Sequence, residues 1–131
     1  MRGGDYKNHL NNYFNKTILI DKEYYQKSIN FFKKKIGKKA KFYFLTNDIN
    51  LLNKYLDGIQ IEKKIIKGYD AYFDWVCLML AKNIIQSNSS FCWTASLFNK
   101  INSTQPKNGY AYNYKIGPIP FGFYMKNSKI I

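Results

Sequence analysis

The sequence predicts an α/β fold, a parallel sheet flanked by helices, and three observations carry that expectation. Short β-prone runs alternate with stretches whose apolar residues recur at helical spacing. Asp, Asn and Ser stand ahead of the helical stretches, where caps belong, and Gly follows two of them, where stops belong. An apolar share of 46% over 131 residues suffices for one hydrophobic core and argues against a disordered chain.

The elements follow in order. Asp21 is placed to cap a helix running to about Ile36, with Tyr25, Ile29, Phe32 and Ile36 on one face. Lys33, Lys34 and Lys35 lie in its last turn, where cations suit the helix dipole, and Gly37 ends it. Residues 41–46 (KFYFLT) read as a short strand. Asn47 or Asp48 caps a second helix that turns Ile49, Leu52 and Leu56 inward, and Gly58 stops it. The Ile-rich stretch at 59–66 holds at least one strand. Residues 69–82 form the strongest helix, with Phe73, Val76, Cys77, Leu80 and Ala81 on its inward face. Residues 83–87 (NIIQS) read as a buried strand, after which Asn88 or Ser89 caps a helix to about Asn99. Beyond Asn102 the alternation fails: Pro106, Gly117, Pro118 and Pro120 interleave with tyrosines and phenylalanines. The chain therefore reads as one domain over 1–131, with an α/β part at 1–101 and an irregular aromatic-rich arm at 102–131.

Charge and composition narrow the partners. A net charge of +13 favours an anionic partner. Arg2 is the only arginine among 21 basic residues, whereas readers of nucleic acid lean on arginine for bidentate contacts, so no specific nucleic acid is expected. The lysines suit a peripheral contact with anionic lipid headgroups. No apolar run approaches the roughly 20 residues of a membrane span, and the polar start MRGGDYKNH is unlike a secretory leader. The expected location is the cytoplasm, with a peripheral station at the inner membrane face. Cys77 and Cys92, in apolar surroundings and not spaced as CxxC, are expected to be buried reduced thiols.

Two short motifs could carry chemistry. Asn88-Ser89-Ser90 follows a strand and opens a helix, where free N–H groups and the dipole favour an anion and neighbouring hydroxyls can donate to phosphate oxygens. Plain helix capping explains the same residues. Arg2-Gly3-Gly4-Asp5 sets a guanidinium beside bare backbone that an anion can approach closely; a flexible tail is the ordinary alternative. His9, the one histidine, lies in a polar stretch and reads as solvated. Metal-ligand spacing, a Ser/His/Asp set and a GxGxxG motif are all missing from the sequence. Physical reading of the residues stops at an α/β domain able to bind phosphate.

Three segments, in order, resemble the α-1,2-fucosyltransferases of glycosyltransferase family 11. MRGGDY at 1–6 resembles the tail of that family's HxRxGDY motif. FYFLTND at 42–48 resembles its strand ending in Ser-Asp-Asp. DWVCLMLAKNIIQSNSSF at 74–91 resembles its second conserved block, an Asp-headed helix, a short strand and NSSF. The resemblance implies a GT-B-like arrangement of two Rossmann-like domains, of which this chain is the C-terminal, GDP-sugar-binding half, with the N-terminal half missing. It implies GDP-fucose as donor substrate, a galactoside acceptor in surface-glycan synthesis, inverting transfer, and no cofactor or metal. It implies that Arg2, flanked by Gly4 and Asp5, grips the diphosphate as the catalytic residue, joined by Asn88, Ser89, Ser90 and Phe91 from the helix start. Asp74 would accept from the guanine edge, whose two adjacent N–H donors suit a carboxylate; Asp70 competes for that role. Asn47 and Asp48, at a strand's C-terminal end, would sit near the ribose.

The sequence departs from the family pattern too. The motif's histidine would precede Met1, Gly3 stands where many members carry a second arginine, and Cys92-Trp93-Thr94 keeps one of two tryptophans. The rival expectations are a glycosyltransferase with another nucleotide sugar, which base preference at Asp74 would separate, and a basic module whose binding collapses with salt.

Overall fold

The computed structural model describes residues 1, 19–37, 39–98, 102–106, 112–113, 117–118 and 127–131. Among the described residues it is an α/β arrangement with parallel sheets and four helices. Helix α1 (Lys22–Ile36) leads to strand β1 (Lys41–Leu45), helix α2 (Ile49–Leu56), strand β2 (Glu62–Ile66) and helix α3 (Ala71–Leu80). Strand β3 (Asn83–Ile85), helix α4 (Ser90–Leu97) and strand β4 (Asn102–Gln105) follow. Short strands β5 (Tyr112–Asn113) and β6 (Gly117–Pro118) form an antiparallel pair, and β7 (Ser128–Ile130) is the last element.

Two parallel sheets, where the sequence predicts one, are hydrogen-bonded among the described residues. In the first, β1 pairs with β2, with Phe44 opposite Ile65 and Leu45 opposite Ile66. In the second, β4 lies between β3 and β7, with Ile84 opposite Ser103 and Thr104 opposite Lys129. Met1 touches both sheets: its amine donates to the Leu45 carbonyl of β1, and its side chain packs in a cluster with Ile85 of β3. Helix α1 spans the same gap. Ile29 joins Leu52 and Leu56 over Phe42, Phe44 and Ile65, while Tyr24 and Tyr25 join Ile20, Tyr55 and Ile131.

Three helix starts are closed by aspartate. Asp21 Oδ1 accepts from Tyr24 N (2.7 Å), Asp48 Oδ1 from Leu51 N (2.9 Å) and Asp70 Oδ1 from Phe73 N (2.8 Å), each satisfying an orphan donor of the first turn. Gly37 takes φ 90° behind α1, a conformation that favours glycine.

Several expectations change. Beyond residue 101, where the sequence reads as an irregular aromatic arm with room for one short strand, β4 and β7 both join the second sheet. Ile49 and Ile36 are exposed, and Leu51 takes the buried place beside Leu52 in α2. Helix α3 buries none of its residues, and Phe73 and Leu80, expected inward, are exposed. An apolar residue on every side of a helix leaves its inward face undefined by periodicity, so tertiary packing decides it. Cys92 is buried and free as expected, whereas Cys77 is free but only half-buried.

Candidate functional site

Among the described residues, Asn47 and Asp48 follow β1, Asp74 lies in the helix after β2, and residues 88–91 follow β3, so each group comes after the C-terminal end of a strand, where α/β folds bind ligands. Arg2, Gly4 and Asp5, and His9 with them, lie outside the described residues. Met1, which adjoins Arg2, is described, and it marks where the segments meet. Its amine bonds the end of β1, and its charge partly opposes the rise that burial gives the pKa of Asp74 and of Cys92.

After β1, the Thr46 hydroxyl accepts from Asp48 N (3.0 Å) and lies 3.1 Å from the Asp48 carbonyl, folding the strand end into the helix start. This turn aims the Asp48 carboxylate at the first turn of α2, so one of its oxygens serves as a cap. Asn47 is exposed at the tip of the turn. Of the two candidate caps, Asn47 and Asp48, it is Asp48 whose side chain makes the bond.

Asp70 and Asp74 divide their roles. Asp70 is exposed and caps α3. Asp74, one turn on, is half-buried, and burial raises its carboxyl pKa above the usual range; the charge of Asp70 pushes the same way and the Met1 amine opposes. One residue further, Trp75 Nε1 donates to Thr94 Oγ1 of α4 at 3.3 Å. Thr94 is four residues after Ser90, roughly 6 Å along the helix. Helix α3 is thus tied to α4 through the residue that follows Asp74.

The start of α4 differs from the other three. Ser89 is its N-cap residue, but its side chain makes no capping bond. Ser89 N donates to Ser87 O at 2.8 Å, and Trp93 N donates to Ser89 O at 3.0 Å, so a tight turn leads into the helix. Asn88 and Ser89 are buried, Phe91 is half-buried and Ser90 is exposed. Beneath the turn, burial holds the Cys92 thiol above its usual pKa, opposed by Met1's amine and by a hydrogen bond to the Ser87 backbone.

A buried polar network fixes this turn, and the sequence did not reveal it. Tyr24 Oη of α1 donates to the Gln86 carbonyl at 2.7 Å, with the Thr104 carbonyl at 2.9 Å and Thr104 Oγ1 at 3.3 Å. Gln86 N donates to Thr104 O at 3.0 Å. Gln86 Nε2 donates to Ser103 Oγ (3.2 Å), and Gln105 Nε2 donates to Gln86 Oε1 (3.4 Å). Ser103 and Ser128 hydroxyls bond across β4 and β7. Pairing of this kind is what permits polar side chains in a core. The polar run NSTQ at 102–105 has no apolar alternation, and nothing in it signals a buried strand.

Among the described residues, no group of three or more His, Cys, Asp or Glu could hold a metal ion. An open cleft of about 350 Å³, lined by Lys33, Gly37, Ala40, Gln60, Ile61 and Glu62, lies at the N-terminal ends of β1 and β2. None of the candidate residues lines it, and Asn47 and Asp48 lie beyond the opposite end of β1.

Comparison with known proteins gives one result that bears on this site. The family model described as Glycosyl transferase family 11 matches residues 1–114, which include all the candidate residues. Comparisons with curated proteins and with solved structures return no match.

Proposed function

The chain belongs to glycosyl transferase family 11, and from that premise we propose that it binds GDP-fucose and serves the transfer of L-fucose to a galactoside. A glycosyltransferase takes a nucleotide sugar and a glycan acceptor, and the proposal specifies both. The observation that carries the donor site is the start of α4: among the four described helices, it is the one whose cap side chain makes no bond to the first turn. Its amides and the hydroxyls of Ser89 and Ser90 suit a diphosphate, with Asn88 and Phe91 shaping the turn. Arg2, which follows Met1 in the sequence, supplies the cation.

In transfer, an acceptor hydroxyl attacks the fucose anomeric carbon from the face opposite GDP. The carbon–oxygen bond to the β-phosphate breaks, its electrons leave with GDP, and the acceptor's proton is released. Negative charge grows on the diphosphate, where a guanidinium and aligned amides stabilise it without a metal. Asp74 accepts from the two N–H donors of guanine, which adenine does not match. Asn47 and Asp48, after the C-terminal end of β1, are assigned to the ribose. The arrangement would be the donor half of a GT-B-like enzyme.

Calorimetric titration with GDP and ADP, repeated on Asp74→Asn, tests the assignment. The expected result is a preference for GDP that the variant loses, by about 1–3 kcal/mol. Equal, salt-sensitive binding of both nucleotides would overturn it and favour a nonspecific basic module.

A further inference from the structure

Helix α3 is apolar along most of its length, yet no residue in it is buried. At about 100° per residue, Tyr72, Phe73, Val76 and Leu80 share one arc. Asp74 lies on the far side of the helix from the centre of that arc, and Trp75 reaches α4. Tyr72 is 75% exposed, Leu80 70% and Tyr69 62%. The Tyr69 ring stacks on that of Phe73, with centroids 4.1 Å apart, and extends the stripe ahead of the helix. Exposed Lys67 and Lys82 stand at its two ends.

We propose that this stripe is a face for an anionic lipid surface. Tyr69, Tyr72, Phe73 and Leu80 would enter the boundary between headgroups and acyl chains, and Lys67 and Lys82 would meet lipid phosphates. Aromatic rings with polar tips suit that boundary, and flanking cations add attraction. The ten residues of α3 span about 15 Å, half of a hydrocarbon core, so the helix lies on the bilayer. No helix among the described residues is long and apolar enough to cross it. Charge favours lipid over a second copy of this chain: two α3 helices laid together, parallel or antiparallel, bring lysine to lysine at both ends. The net charge of +13 points the same way. Asp70, the one exposed acid on this segment, has its carboxylate turned to the helix start as a cap.

Co-sedimentation of the full chain with phosphatidylcholine vesicles, with and without phosphatidylglycerol, tests the proposal. Binding is expected only to vesicles with phosphatidylglycerol. It should weaken roughly tenfold in Tyr72→Ser/Leu80→Ser and by a similar factor in Lys67→Gln/Lys82→Gln. GDP titration of the same variants reports separately on the fold and the donor site and should be unchanged. Absence of binding, or equal binding by parent and variants, would overturn the proposal. Concentration-dependent dimers that Tyr72→Ser/Leu80→Ser dissolves, without vesicle binding, would overturn it in favour of a second copy.

Discussion

Asp70 and Asp74 stand one helical turn apart and experience different surroundings. Asp70 is exposed and bonded to the first turn; Asp74 is half-buried with its pKa raised, chiefly by burial. A carboxyl whose pKa is higher folded than unfolded binds its proton more tightly in the folded state. It therefore opposes folding once pH has risen through that window, and has no effect below the usual carboxylate range. Asp74→Asn is expected to raise the Tm at neutral pH, with the gain vanishing in acid, while GDP binding falls. A variant that lost both stability and binding would show Asp74 to be structural. Tyr24 is the opposite kind of residue: desolvation pushes its phenol pKa well up, so it stays protonated and donates to the Gln86 carbonyl. Tyr24→Phe leaves that buried carbonyl short of a donor and should cost about 1–3 kcal/mol in urea unfolding. Both aspartates were visible in the sequence as candidates for one role, since spacing cannot tell an exposed cap from a half-buried acid one turn later. The Tyr24 network was invisible, because its partners are 62 and 80 residues away.

At the scale of elements, helix starts separate structure from function. Asp21→Ala and Asp48→Ala each remove a bonded cap, and each should cost about 1 kcal/mol of unfolding free energy. Ser89→Ala removes no capping bond, so it should cost clearly less stability while weakening GDP binding. Equal stability losses at all three positions would make Ser89 an ordinary cap and remove the main support for a diphosphate site at α4. These caps were legible because a polar residue ahead of an apolar period carries its own local mechanism. The inward face of α3 was not. Its apolar residues cover every side, and α4 meets the side bearing Trp75, so Phe73 and Leu80 turn outward.

In the whole molecule, two parallel sheets meet at Met1 and under α1, with contacts between residues far apart in the chain. Strand β7 completes the second sheet beside β4, and Ile131 N donates to Gln105 O. A chain ending at residue 126 would leave that edge of β4 unpaired and Ser103 without Ser128. Its urea midpoint should fall by more than that of Tyr24→Phe, and light scattering should show aggregation through the open edge. An unchanged midpoint would show that β7 adds nothing to the sheet. The sequence by itself determined the α/β class, the type of each described helix, the cap of α1, strands β1 to β3 and the family, because caps, apolar periods and short motifs act over a few neighbouring residues. Only the tertiary structure decided that the polar run at 102–105 is a core strand, that α3 shows an aromatic stripe to solvent, and that Trp75 ties α3 to α4. Burial and pairing are set by which distant segments meet, and a local pattern does not encode that.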